Sequence, residues 1–149
     1  MPEVCIEIVS NQEGDELTLS NKSRQKGKTT TKKEIYAQIS VRYYAVFDPL
    51  KQIQDKNEMD GALLRVWSIS PDGYPELTPS QGICELGQSV WLTAAGIGLT
   101  LWKGQFEAEV TRLWLRWCDR DGQVISTGAE RADRLADRLR AMGVNPNEI

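Results

Sequence analysis

The sequence predicts an α+β protein with an α/β core, in which a βαβ crossover is followed by a β-hairpin and a terminal helix. Two apolar, β-branched runs at 4–9 and 43–47 flank a stretch with helical periodicity at 32–39. A connection of this length with a helix suits two parallel neighbouring strands joined in the right-handed sense. An Asp-Gly pair at 121–122 predicts the hairpin, and a capping-box spacing beginning at Thr127 predicts the helix.

Composition excludes several kinds of chemistry. The chain has 149 residues, which suits one domain, and it contains no histidine. Catalysis by an imidazole base is therefore excluded, and three cysteines without CxxC spacing argue against a structural zinc site. Since no apolar run approaches the roughly 18 to 20 residues of a membrane span and no signal segment opens the chain, we expect a cytoplasmic protein without a membrane partner.

The first strand carries a carboxylate among apolar neighbours. Alternation along 4–9 places Glu7 on the same face as Cys5 and Val9. Burying an ionised carboxylate costs several kcal/mol, roughly, unless a cation or hydrogen bonds compensate it, so Glu7 would need a metal or a lysine as partner. The spacing is equally compatible with Glu7 on a strand edge or facing solvent.

A basic segment separates this strand from the helix. Between Lys22 and Lys33 there are six basic residues and no acidic one, although the formal net charge of the chain is −3. The segment is either an arm that contacts phosphates or a flexible, solvated insertion, and we favour the insertion. Lys32 alone would be a solvated surface charge. The possible nucleic-acid contacts are Lys22, Arg24, Lys26, Lys28 and Lys33.

The sequence from residue 43 onward predicts short strands with turns between them. The apolar run at 43–47 ends at Asp48-Pro49, where Asp48 is expected to make turn contacts. Pro71-Asp72-Gly73 is a turn signal. Further strands are predicted at 63–69, 90–92 and 98–102, with the hairpin arms at 113–118 and 123–125.

The terminal helix has a narrow apolar stripe. Thr127 and Glu130 form its capping box, and Gly143 with Pro146 beyond it ends it. The stripe is too short for a stable isolated coiled coil, so docking on the domain is favoured over self-association. The stripe consists of Ala132, Leu135, Leu139 and Met142, and Glu130–Arg134 and Asp137–Arg140 are expected surface pairs.

Three segments together resemble a known family. They are Pro2 to Ser10, then Lys32 four residues before Tyr36, then Tyr43 to Pro49. Their order and spacing are similar to the pattern PD-[apolar]-E-V-x-S, K-x-x-x-Y and Y-[apolar]-D-P of the restriction endonuclease-like domain family, which is related to the PD-(D/E)XK nucleases. The Trp-rich stretches 98–104 and 113–117 and the closing helix resemble the carboxyl-terminal extension of a subgroup, so the likeness covers nearly the whole chain.

The resemblance implies a restriction endonuclease-like mixed sheet and a Mg²⁺-dependent endonuclease, with Mn²⁺ as a possible substitute and DNA as the substrate. Glu7 would be the metal-binding carboxylate and Lys32 the catalytic lysine, moved from strand to helix. Glu3, which stands where the family has aspartate, and Ser10 are secondary candidates. The implied segments are 1–70 for the latter part of the nuclease core, 71–126 for a β-rich extension and 127–149 for the helix and tail.

Family members carry a larger amino-terminal portion that holds an acidic helix residue and the principal metal-binding aspartate, and the sequence begins after it. One carboxylate and one lysine are a poor Mg²⁺ site, because Mg²⁺ requires octahedral oxygen ligation. We therefore expect weak cleavage or none. The alternative is a non-catalytic remnant or interaction module on the same fold, associating as a homodimer through an exposed strand edge or the terminal helix.

Overall fold

The computed structural model describes residues 2–19, 24–105 and 111–146. These residues form two three-stranded sheets and two helices, which confirms the α+β class. The first sheet contains β1 (Val4–Ile8), β2 (Tyr43–Phe47) and β3 (Leu64–Ser68), and the second contains β4 (Ser89–Leu92), β5 (Ile97–Gly104) and β6 (Arg112–Cys118). The helices are α1 (Lys32–Gln38) and α2 (Gly128–Ala141).

The first sheet has the strand order β1-β2-β3 and is mixed. β1 and β2 are parallel and are connected through α1, as the spacing of the apolar runs predicts. β3 then returns antiparallel to β2. The register places Glu7 of β1 opposite Val46 of β2, and Val46 opposite Arg65 of β3, so these three side chains share one face of the sheet.

Each face of the first sheet is covered by a different layer. One face packs against the second sheet in a cluster that joins both sheets. The cluster contains Tyr43, Ala45, Phe47, Leu64, Val66, Ile83, Val90, Leu92, Leu99 and Leu101. The other face carries a second cluster that includes Tyr44, Val46 and Trp67, with Tyr36 of α1 packed against it. The face that carries Glu7 therefore lies beneath α1.

The second sheet is an antiparallel meander in which β6 pairs with β5 along its whole length. The turn after β6 forms as its Asp-Gly pair predicts, with Gly122 at φ 80°, a conformation that favours glycine. The predicted hairpin is much shorter than expected, because its return arm pairs only through the bridge between Cys118 and Val124. The chain turns away there to form the cap of α2.

Helix α2 begins with the predicted capping box of Thr127 and Glu130. Its apolar stripe does not dock, since none of the helix residues is buried and Leu135 and Met142 are exposed. A bidentate pair holds the helix to β6 instead, with the Arg116 guanidinium 3.1 and 2.8 Å from the two Glu130 carboxylate oxygens.

The predicted pairing of Glu130 with Arg134 is replaced by this contact, and Arg134 donates to the backbone carbonyl of Glu130. The predicted Asp137–Arg140 pair is present. No helix among the described residues is long and apolar enough to span a membrane.

Candidate functional site

Glu7 and Lys32, which are 25 residues apart in the chain, meet in the structure. The Lys32 Nζ donates to Glu7 Oε2 at 2.8 Å. Glu7 is the next-to-last residue of β1 and is half-buried, and Lys32 is the first residue of α1. Its position in an apolar strand predicts that Glu7 needs either a metal or a lysine as partner. In the structure that partner is Lys32.

The first turn of α1 is fixed by its own cap and by the segment before it. The Thr31 hydroxyl accepts from the Glu34 amide, while the Glu34 carboxylate accepts from the Thr31 amide at 2.7 Å. The backbone amides of Lys32 and Lys33 donate to the carbonyls of Asp15 and Glu16, at 2.9 and 3.2 Å. The segment around residues 14–18 is therefore attached to the helix start, which aims Lys32 at β1.

Glu16 is a third member of the site that sequence reasoning missed. Its Oε1 lies 3.0 Å from the Lys32 Nζ, and its side chain is only 5% exposed. Its Oε2 is buried and accepts no hydrogen bond from the described residues. A buried carboxylate oxygen without a donor is rare in proteins, because leaving it unsatisfied costs free energy. Glu16 Oε2 is therefore the carboxylate oxygen of this site that a further donor or cation would satisfy.

An aromatic layer supports the carboxylates from below. The Tyr36 hydroxyl donates to Glu7 Oε1 at 2.9 Å, so both oxygens of Glu7 are engaged. The Tyr36 ring packs on Tyr44 with centroids 5.2 Å apart, and the Tyr44 hydroxyl donates to the Glu16 carbonyl. Burial raises the pKa of Tyr44, and the hydrogen bond to Glu7 raises the pKa of Tyr36. Both phenols are hydrogen-bond donors at neutral pH and hold the acids in place.

The charge of Lys32 is stabilised by its two acidic partners. Burial acts to lower the pKa of Lys32, but hydrogen bonds to Glu7 and Glu16 outweigh it, and the pKa is raised above its ordinary value. Lys32 is consequently an ammonium at neutral pH. In this arrangement it can donate hydrogen bonds and stabilise negative charge, whereas it cannot accept a proton from water.

The secondary candidates are not brought to this site. Glu3 precedes β1, is exposed, and lies 4.0 Å from Arg42 Nε. Ser10 follows the strand and is also exposed. Since a strand rises about 3.3 Å per residue, both lie roughly 10 Å or more from Glu7 along the chain direction.

The basic segment is largely engaged with acids of the same chain. Lys26 Nζ is 2.8 Å from Glu13, and Lys28 pairs with Asp15, which raises the pKa of Lys28. Arg24 is exposed, and Lys22 lies outside the described residues. Lys33 turns toward β3, where its Nζ lies 4.3 Å from the centroid of the Trp67 ring.

The fit of this site to Mg²⁺ depends on the two carboxylates. Within residues 2–19, 24–105 and 111–146, no cluster of three or more Asp, Glu, Cys or His could hold a metal. Glu7 and Glu16 nevertheless converge on one point, since both accept from the same Nζ, and Glu16 has an unused oxygen. Mg²⁺ is often held by one or two carboxylates while keeping waters and substrate phosphates as its other ligands. The pair fits that sparse mode of binding.

Comparison with known proteins adds no relative. No protein-family model, no curated protein and no solved structure matches the chain.

Proposed function

We propose that the chain is a metal-dependent DNA endonuclease of the restriction endonuclease-like class, with low activity. The observation that carries the proposal is the contact of Lys32 with both Glu7 and Glu16. An acid pair beside a lysine, held under a helix on a mixed sheet, is the kind of site that hydrolyses phosphodiesters without histidine. The order of Glu7 and Lys32 in the sequence resembles the family pattern, and Glu16 is not part of that resemblance.

Each residue has a distinct part in this proposal. Glu7 and Glu16 would hold Mg²⁺ or Mn²⁺, which lowers the pKa of bound water and polarises a phosphoryl oxygen. Lys32 remains an ammonium and stabilises negative charge as it develops on the phosphate. Tyr36 fixes the orientation of the Glu7 carboxylate through its hydroxyl. None of Glu7, Glu16, Lys32 and Tyr36 is a proton acceptor of the histidine type, so a bound metal would have to supply the activation of water.

Low activity follows from the same contacts. Two carboxylates leave most of the octahedral ligation of Mg²⁺ to water and phosphate, and binding of the metal between them competes with the Lys32 ammonium. We therefore expect slow nicking of DNA with Mg²⁺. We expect faster nicking with Mn²⁺, because Mn²⁺ tolerates ligation by few carboxylates. A cytoplasmic location suits this substrate and stays a prediction.

The test is nicking of supercoiled plasmid by the wild type and by Glu7→Gln, each with Mg²⁺ or Mn²⁺. We expect Glu7→Gln and Glu16→Gln to lose nicking at unchanged protein concentration. Glu85→Gln, an exposed acid outside the site, is the matched control and should cleave like the wild type. Equal cleavage by all four proteins would trace the nicking to a contaminant and end the assignment.

A second candidate function is that of an interaction module, and the edge of the first sheet favours it. β1 is the outer strand of that sheet among the described residues, and its side chains Ile6 and Ile8 are exposed, Ile8 by 62%. An apolar, unpaired strand edge promotes association with another strand. On this candidate the chain forms a homodimer that light scattering detects, and Ile8→Lys shifts it to monomer. A monomer at high concentration in the wild type would refute it.

A further inference from the structure

A polar pocket lies on the same sheet face as Glu7, beside β3. It is a cavity of about 230 Å³. Its lining consists of Leu17, Lys33, Lys56, Asn57, Glu58, Arg65, Trp67 and Glu76. None of these basic residues has a part in the site around Lys32.

Lys33 is a cation without a full counter-charge. It is half-buried, and its Nζ contacts the face of the Trp67 ring at 4.3 Å, whereas no carboxylate of the described chain forms an ion pair with it. One acid of the pocket is already committed, since Glu76 accepts hydrogen bonds from Arg65 with both oxygens, at 2.8 and 2.9 Å. Burial lowers the pKa of Lys33, which is the mark of an ammonium that its surroundings compensate poorly.

The other charges of the pocket leave a net attraction for anions. The bidentate Arg65–Glu76 pair is close to neutral as a unit. Glu58, which accepts a hydrogen bond from the Thr18 hydroxyl, also lines the pocket, so three basic and two acidic side chains leave the lining with a formal charge of +1. Lys56 is exposed and forms no ion pair within the described residues. Lys33 and Lys56 are therefore the two cations that an incoming ligand would meet.

The volume of the cavity and the low exposure of the Trp67 ring limit which anion fits. Pockets for drug-sized ligands measure about 300 to 1,000 Å³, so a cavity of about 230 Å³ takes only a small group. A nucleobase would have to stack on Trp67, but that ring is 6% exposed, with Lys33 on it and Tyr44 at 5.9 Å. Lysine ammonium groups are common phosphate ligands. We propose that this pocket binds a phosphate group, held between Lys33 and Lys56.

The position of the pocket suggests where such a phosphate comes from. Glu7, Val46 and Arg65 lie in one row across three strands, so the pocket is about 10 Å from Glu7, which is two strand spacings. Lys32 and Lys33, adjacent in α1, thus serve two neighbouring sites. Assignment of the phosphate to the DNA strand that passes Glu7 rests on the proposed function, whereas the phosphate pocket itself does not.

The experiment measures binding of inorganic phosphate by calorimetry, in EDTA, to the full chain. We expect Lys33→Gln and Lys56→Gln each to weaken binding by about tenfold or more, the size expected for loss of one charge-assisted hydrogen bond. Lys33→Arg keeps the charge and should keep binding. Lys103→Gln, an exposed lysine on β5, is the control for general charge loss, and Glu7→Gln should bind like the wild type. Melting temperatures verify that each variant is folded.

The outcomes separate the two proposals. Equal affinity of Lys33→Gln and wild type, or no saturable phosphate binding by the wild type, would overturn the pocket. Displacement of phosphate by a short single-stranded oligonucleotide would assign it to nucleic acid, and retention would assign it to a small free anion; both support the pocket. Phosphate binding without any metal-dependent nicking would refute the nuclease and leave the pocket in place.

Discussion

Replacing Lys32 with methionine should destabilise the protein, because one ammonium compensates two carboxylates. Glu7 and Glu16 are 19% and 5% exposed, so the substitution leaves two largely buried negative charges close together. Removing one partner of a fully buried pair costs about 3 to 5 kcal/mol, while an exposed pair is worth about 0 to 1 kcal/mol. Since Lys32 itself is 39% exposed, we expect a loss of about 2 to 3 kcal/mol at pH 7.

The measurement is urea unfolding followed by tryptophan fluorescence. For a chain of this size the loss corresponds to a fall in Tm of about 5 to 10 °C. Because the folded-state pKa of Lys32 is raised, its contribution is fully present below the unfolded lysine pKa and disappears as pH rises through the folded value. The gap between wild type and variant should therefore be constant from neutral pH to about 9 and shrink at higher pH. Lys103→Met is the control, and a loss below about 0.5 kcal/mol for Lys32→Met would mark Lys32 as an ordinary surface charge.

The same variant tests the metal site without any activity. With the ammonium gone, Mg²⁺ or Mn²⁺ is the cation that can compensate Glu7 and Glu16, so added metal should raise the Tm of Lys32→Met more than that of the wild type. Lys32→Met/Glu16→Gln should lose most of this metal response. Identical Tm shifts in all three proteins would show that the metal acts elsewhere on the molecule.

Three further perturbations follow from single contacts. Tyr36→Phe removes one hydrogen bond to the Glu7 carboxylate and should cost about 1 to 2 kcal/mol in urea unfolding; no change would mean that water replaces the phenol. Asp48→Ala removes a fully buried acceptor and should cost about 2 to 4 kcal/mol in the same assay, and a loss under 1 kcal/mol would contradict its role. The Arg116 guanidinium and the Thr127 cap lower the pKa of Glu130 to about 2. Stability from Glu130 is therefore present above the ordinary glutamate pKa and lost as pH falls toward about 2, so the difference between wild type and Glu130→Gln should vanish over that range.

The elements with strong periodicity were predictable from the sequence. The parallel β1–β2 pair, α1 and the cap at Thr127 follow from apolar spacing and local hydrogen bonding, which depend on few residues. The short pairing of the return arm at 123–125 and the undocked stripe of α2 were not, because both depend on tertiary contacts that no local pattern marks. After the Cys118–Val124 bridge the chain forms the cap of α2, and the bidentate Arg116–Glu130 contact holds the helix in place of apolar packing.

Two residues of the candidate site, Glu7 and Lys32, could be predicted from the sequence, and the third, Glu16, could not. Glu7 stands in an apolar strand and Lys32 at a regular distance before Tyr36, so each has a local pattern around it. Glu16 lies in a polar stretch without periodicity, and its partner is 16 residues away. The available signal is Leu17, an apolar residue directly after Glu16, which packs against the cluster beneath α1.

Comparison of two buried carboxylates, Asp48 and Glu16, shows why Glu16 is the better functional candidate. Asp48 is fully buried at the end of β2, and its oxygens accept from the amides of Gln52 and Ile53 and from the Gln54 side chain, at 2.8 to 2.9 Å. These three hydrogen bonds stabilise the turn that follows β2, so folding alone explains why Asp48 is buried. Glu16 accepts one side-chain hydrogen bond, from a lysine that it shares with Glu7, and its second oxygen accepts none from the described residues. Folding alone does not explain why this oxygen is buried without a donor among the described residues, whereas a cation bound beside Glu7 would satisfy it.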